Sequence, residues 1–325
     1  MISFFSKIVI FILFNIFIQY DAFSHHGRFL YDLESIISIE VNVKELEWNN
    51  PHVYINASTS NFNILKIETD AIPILVRNSW NANSLERDEE ITISYHPGIG
   101  NQNTGLLVQI QKLDGSVLRP RNTEQNPIYK TNDISGNWLL PNGDNIHDFL
   151  ERWALTKITN KGIEAKQSYD LGDRPAGNCI ETPSPMIMAM PFLNKIEIYD
   201  DRTIISNEFF DARRVIHTDG RTFSSFSNKD YPIQGYSIGA WIDKELHIET
   251  RFFADHRAPI RGPNEGVPSG RSKKVLEVYK LLDGNSSLQV DFKVVDKEFL
   301  AEEFSGTLIW DYAPQHQYIE VKCQI

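Results

Sequence analysis

From residue 37 the chain alternates. Ile37, Ile39, Val41 and Val43 are separated by Ser38, Glu40, Asn42 and Lys44, the period of a strand that buries one face. Val53-Tyr54-Ile55, Ile64-Leu65-Lys66-Ile67, Ile91-Thr92-Ile93-Ser94 and Leu106 to Ile110 predict further short strands, and Asp114-Gly115 predicts a turn. Residues 72–81 predict a short helix with Pro73 in its first turn, where a missing N–H costs nothing. Five short strands and one helix suit a small OB-like barrel spanning residues 25–118.

Residues 119–132 are polar, carry two prolines and read as a linker. Beyond them hairpins follow in series. Ile196 to Tyr199 and Thr203 to Ser206 flank Asp200-Asp201. Arg214 to Thr218 runs into Asp219-Gly220. Tyr236 to Ile242 and Leu246 to Phe253 flank Asp243-Lys244-Glu245, and Lys274 to Leu282 and Leu288 to Val295 flank Asp283-Gly284-Asn285. Sequential hairpins predict an antiparallel meander, and closure into a barrel removes its exposed edges. Residues 133–325 are therefore expected to form an antiparallel lipocalin-like β-barrel, so the fold class is mainly β.

Residues 1–24 follow another pattern. One charge, Lys7, precedes an apolar run over residues 8–20, and Ala22-Phe23-Ser24 offers small residues for cleavage before His25. This reads as a signal peptide, with an uncleaved membrane anchor as the alternative. A secreted or periplasmic location follows, and no later apolar run approaches the length of a span. Cleavage removes one lysine and one aspartate and leaves the net charge of −11 unchanged. That acidity argues against a nucleic-acid partner. Two cysteines are too few for a disulfide scaffold or a four-cysteine zinc site. In an oxidising compartment Cys179 and Cys323 are expected to pair, the alternative being two separate buried thiols.

Several motifs together resemble an uncharacterised family of exported bacterial two-module proteins. They are His25-His26-Gly27 and Trp48-Asn49-Asn50-Pro51-His52 in the first module. In the second they are Ser135-Gly136-Asn137-Trp138, residues 213–221, residues 235–241 and Leu246-His247-Ile248-Glu249-Thr250. The resemblance implies export and two β modules, and it implies no activity. The chain departs from the family where Tyr236 and Ala240 stand at positions more often polar, and where Val295-Asp296-Lys297-Glu298 replaces a segment with Asp-Pro.

Three functional readings stay open. The first is a small-molecule ligand held in the second barrel, at Arg213, Arg214, His217, Ser237, Trp241, His247 and Glu249. The second is an enzyme using the polar face of Arg213, Arg214, His217, His247 and Glu249 for proton transfer. The third is a copper or zinc site at the mature N-terminus, where His25 offers an amine and an imidazole and His26 or His52 completes the set. Gly235-Tyr236-Ser237-Ile238-Gly239 matches the nucleophile-elbow spacing. A hairpin follows it, where that motif requires a helix, so it reads as barrel-strand packing. Oligomeric state has no signal in the chain.

Overall fold

A computed structural model describes residues 30–121, 127–141, 153–170, 179–226, 231–254, 256–259 and 266–321. Two closed barrels account for most of them. The first is built from β1 (Ile37–Glu47), β2 (Tyr54–Ser58), β3 (Ile64–Glu68), β4 (Glu90–Gly98) and β5 (Asn101–Lys112), with helix α1 (Ile72–Arg77) between β3 and β4. A short β6 (Val117–Leu118) extends β5 as a hairpin. β1 lies between β2 and β4, and a parallel pairing of β3 with β5 closes the ring. The circular order β1-β2-β3-β5-β4 is that of an OB-fold. Val41, Val43, Ile55, Leu65, Ile67, Ile91, Ile93 and Ile110 fill it, under Leu75 and Trp80. The alternation read at β1 is present, but only Val41 and Val43 are deeply buried. Ile37 is 38% exposed because the strand begins beyond the packed interior.

The Asn-Asn-Pro turn after β1 has a use that sequence alone did not show. Asn50 Oδ1 accepts the Ile72 N–H at 3.1 Å, satisfying one of the donors that α1 leaves unpaired at its start. Pro73 lies in the first turn as expected. Trp48 packs against the first barrel while only partly buried.

The second barrel has nine strands: β7 (Gly136–Leu139), β8 (Asn194–Ile198), β9 (Arg202–Asn207), β10 (Ala212–His217), β11 (Tyr236–Ile242), β12 (Glu245–Arg251), β15 (Lys274–Leu281), β16 (Ser287–Val295) and β17 (Phe304–Tyr312). Helix α2 (Asn160–Gln167) stands between β7 and β8, and a two-stranded ribbon of β13 (His256–Pro259) and β14 (Pro268–Ser269) stands between β12 and β15. The strictly antiparallel expectation needs one correction. β10 and β11 pair in parallel, Ile216 with Ser237 and His217 with Ile238, because the long connection over residues 218–235 brings the chain back in its original direction.

The interior of this barrel is occupied by its own chain. A single 3-10 turn, Met186–Ala189, is buried along its whole length. Side chains from three walls hold it: Trp310 Nε1 donates to the Met188 carbonyl at 3.2 Å, Asn207 Nδ2 donates to the Ile187 carbonyl at 3.4 Å, and the Tyr279 hydroxyl oxygen lies 3.3 Å from Met188 Sδ. Trp138, Ile196, Ile216, Leu246, Ile248, Val275 and Val290 pack around it.

The barrels share a seam. Ala71 and Ile74 of the first belong to the apolar core of the second. Arg77 Nη1 binds Glu208 at 2.8 and 3.1 Å, and Glu208 also accepts the N–H groups of Leu193 and Ile319. Glu208 is fully buried. Ion pairs of this kind are costly to break from one side, because the remaining charge loses its partner while out of water.

Candidate functional site

Alternation along the strands decides where the residues singled out from sequence end up. On β12, Leu246, Ile248 and Thr250 are buried while His247 and Glu249 lie on the outer face. The polar, titratable face of β12 is thus the outer one. His247 Nε2 stands 3.6 Å from Glu245, and Glu249 pairs with Arg251 at 2.6 Å. On β10, Arg213 is exposed, His217 is half-buried on the outer face, and Arg214 points inward. Burial, and then Arg221, hold His217 below the usual imidazole range. Trp241 is exposed. Ser237 is inside, its hydroxyl 2.8 Å from that of Thr250.

Of the proposed barrel ligands, therefore, only Arg214 and Ser237 are buried inside the barrel, and both are already engaged. Arg214 makes a two-pronged ion pair with Glu277 at 3.0 and 2.8 Å and reaches Thr250 at 3.3 Å, while the Tyr279 hydroxyl donates to Glu277 at 3.1 Å. Burial opposes the guanidinium charge, and Glu277 outweighs it, so Arg214 is held more firmly protonated than usual. A structural polar core fits this arrangement better than an open pocket.

An open site exists elsewhere. A cavity of about 470 Å³ lies on the seam between the barrels. The second barrel supplies an apolar wall of Met190, Pro191, Phe192, Phe209, Phe210 and Val321, and the first adds Leu33, Ile74, Leu106 and Leu107. The polar groups all come from the first barrel and the start of the linker: His52, Glu68, Asp70, His96 and Arg121. Their placement follows from local structure. β2 and β3 pair Tyr54 with Glu68 at one end of the sheet, so the residues flanking that pair, His52 and Asp70, stand together. The linker folds back there, with the Arg119 carbonyl accepting from Trp80 Nε1 at 2.8 Å.

Three donors converge on the Glu68 carboxylate: the Tyr31 hydroxyl at 2.8 Å, the Tyr54 hydroxyl at 3.5 Å and His52 Nδ1 at 3.2 Å. The Thr69 carbonyl also lies 3.2 Å from Nδ1. Both neighbours of that nitrogen are acceptors, so it carries the proton. Burial, reinforced by Glu68, pushes the Tyr31 and Tyr54 hydroxyls well above the usual phenol range. Arg121 grips Asp70 through Nε at 2.9 Å and Nη2 at 2.8 Å. Burial disfavours its charge, and Asp70 more than compensates.

Glu68, Asp70 and Arg121 belong to no motif. Of this site only His52 stood out in the sequence, and for a different chemistry. His25, His26 and Cys323 lie outside the described residues. Among the described residues no cluster of three His, Cys, Asp or Glu is arranged to hold a metal ion, no cysteine is free, and no helix is long and apolar enough to cross a membrane.

Over residues 15–108 the chain is similar to a family of unknown function (DUF6152). The match takes in β1 to β4, most of β5, and the His52, Glu68 and Asp70 side of the cavity. No curated protein matches the chain.

Proposed function

We propose that this is an exported protein that binds a small organic molecule in the cavity between its two barrels. The observation that carries the reading is the cavity itself. Its volume falls within the range of small-ligand sites, its walls are mainly apolar, and a few polar groups converge on one side. The ligand expected inside the second barrel moves to the seam, because Met186–Ala189 fills that interior. The apolar run over residues 8–20 and the cleavage-like Ala22-Phe23-Ser24 support export. A Cys179–Cys323 pair belongs to the same reading, and a Cys179 that is not a free thiol is consistent with it.

Native mass spectrometry of the purified full-length protein, followed by titration with the neutral dye Nile red, tests the proposal. A retained small molecule or saturable dye binding is expected. The substitution Leu33→Trp, at the half-exposed mouth of the cavity, is expected to abolish either signal, while Trp241→Ala on the far barrel leaves it intact. The absence of both a retained mass and dye binding sensitive to Leu33→Trp would refute the reading.

A further inference from the structure

Polarity in the cavity is divided between its walls, and the division carries a charge preference. On one side Phe209 stands 4.2 Å from Phe210 and 5.3 Å from Phe192, centre to centre, a cluster of three rings with no charged group among the second-barrel residues that line the site. Facing it are two carboxylates, Glu68 and Asp70, against one guanidinium, Arg121. Arg121 already commits two of its nitrogens to Asp70.

An entering carboxylate would shed water opposite Glu68, and its one permanent cationic partner would be already engaged. An entering ammonium would meet aromatic faces on one side and, on the other, two carboxylates whose charge the single Arg121 guanidinium only half offsets; both sides attract a cation more strongly once water is excluded. Resting on the binding reading above, we infer that the cavity selects an organic cation, an amine carried on an apolar body. The body lies against Phe192, Phe209 and Phe210, and the ammonium points to Glu68 and Asp70.

Three probes of one shape separate charge from apolar contact: 2-(aminomethyl)naphthalene, 2-(hydroxymethyl)naphthalene and 2-naphthoate. Calorimetric titration of the full chain at pH 7 is expected to rank the amine about tenfold or more above the alcohol, with naphthoate weakest. The substitution Asp70→Asn removes one carboxylate and releases Arg121. It is expected to weaken the amine, leave the alcohol within about twofold, and strengthen naphthoate. Glu68→Gln is expected to weaken the amine alone. Leu33→Trp must abolish amine binding, which separates the cavity from the acidic surface. An alcohol equal to the amine, or naphthoate binding tightest, overturns the charge preference and leaves ligand binding standing. No binding of any probe, with Leu33→Trp and the unsubstituted chain alike, overturns both.

Discussion

Lys273 is 1% exposed, and its ammonium sits 3.9 Å from the centre of the Phe253 ring while donating to the Ser184 carbonyl at 2.8 Å. Burial is the main influence and lowers its pKa. Asp296 opposes that, Arg214 adds to it and Glu277 opposes it, and the net result is a fall from 10.5 to about 7. The folded state therefore resists protonation that the unfolded chain accepts. The cost is present in full below pH 7 and fades as pH rises toward 10.5. Stability should climb across that window by up to about 1.4 kcal/mol per pH unit for one linked proton. Lys273→Met should flatten the slope measured by urea denaturation at pH 7, 8 and 9, and equal slopes in the two proteins would refute the linkage. Arg214 and Glu277 offer a separate measurement. Arg214→Met alone strands a buried carboxylate and should cost about 3–5 kcal/mol. Arg214→Met combined with Glu277→Leu should cost clearly less, and simple additivity would show that the pair is not coupled.

At the scale of elements, what could be read from sequence depended on how local the cause was. The hairpins of β8 with β9, β11 with β12 and β15 with β16 are announced by turn residues between alternating runs, and all three form. β17 has no such clarity. Its inner face reads Phe304, Gly306, Leu308 and Trp310, and the outer Ile309 blurs the contrast. Gly306 is a packing decision made across the barrel, since a Cβ there would stand 2.6 Å from the Phe292 ring. α2 was invisible for a similar reason. It is polar, and its position comes from remote contacts. Its N-cap residue Thr159 donates to the Glu298 carbonyl at 2.7 Å, and Gly162 leaves room for the Phe299 carbonyl. The parallel joining of β10 to β11 depends on a long return that no local pattern encodes. The cavity was hidden in the same way. Glu68 continues the outward-facing series of Ile64 and Lys66 and looks like surface. It is buried nonetheless, with Tyr31, Tyr54 and His52 gathered on its carboxylate.

For the whole molecule, the Arg77–Glu208 bond decides whether two barrels behave as one body. It joins α1 to the segment after β9, and through Glu208 it reaches the backbone at Leu193 and Ile319. Arg77→Ala should therefore cost about 3–5 kcal/mol at the seam rather than within either barrel. Scanning calorimetry is expected to show one transition for the unsubstituted chain and two for the variant. A single transition shifted intact to lower temperature would mean that apolar contact through Ala71 and Ile74 suffices to couple them. Because the cavity is walled from both sides, the same variant should lose ligand affinity even though Arg77 lies outside the lining.

The buried turn through the second barrel has one more consequence, and it concerns redox chemistry. Met186, Met188 and Met190 are, with Met1, all the methionines in the chain. The first two are 2% and 1% exposed inside the barrel, whereas Met190 emerges into the cavity wall. Peroxide reaches sulfur only where solvent does. Of these three Met190 is thus the thioether oxidised first, placing a polar sulfoxide against the aromatic wall, and an occupant of the cavity shields it. Oxidation of Met186 and Met188 waits for the barrel to open. One five-residue stretch thereby keeps separate chemical records of two compartments, the cavity and the barrel interior.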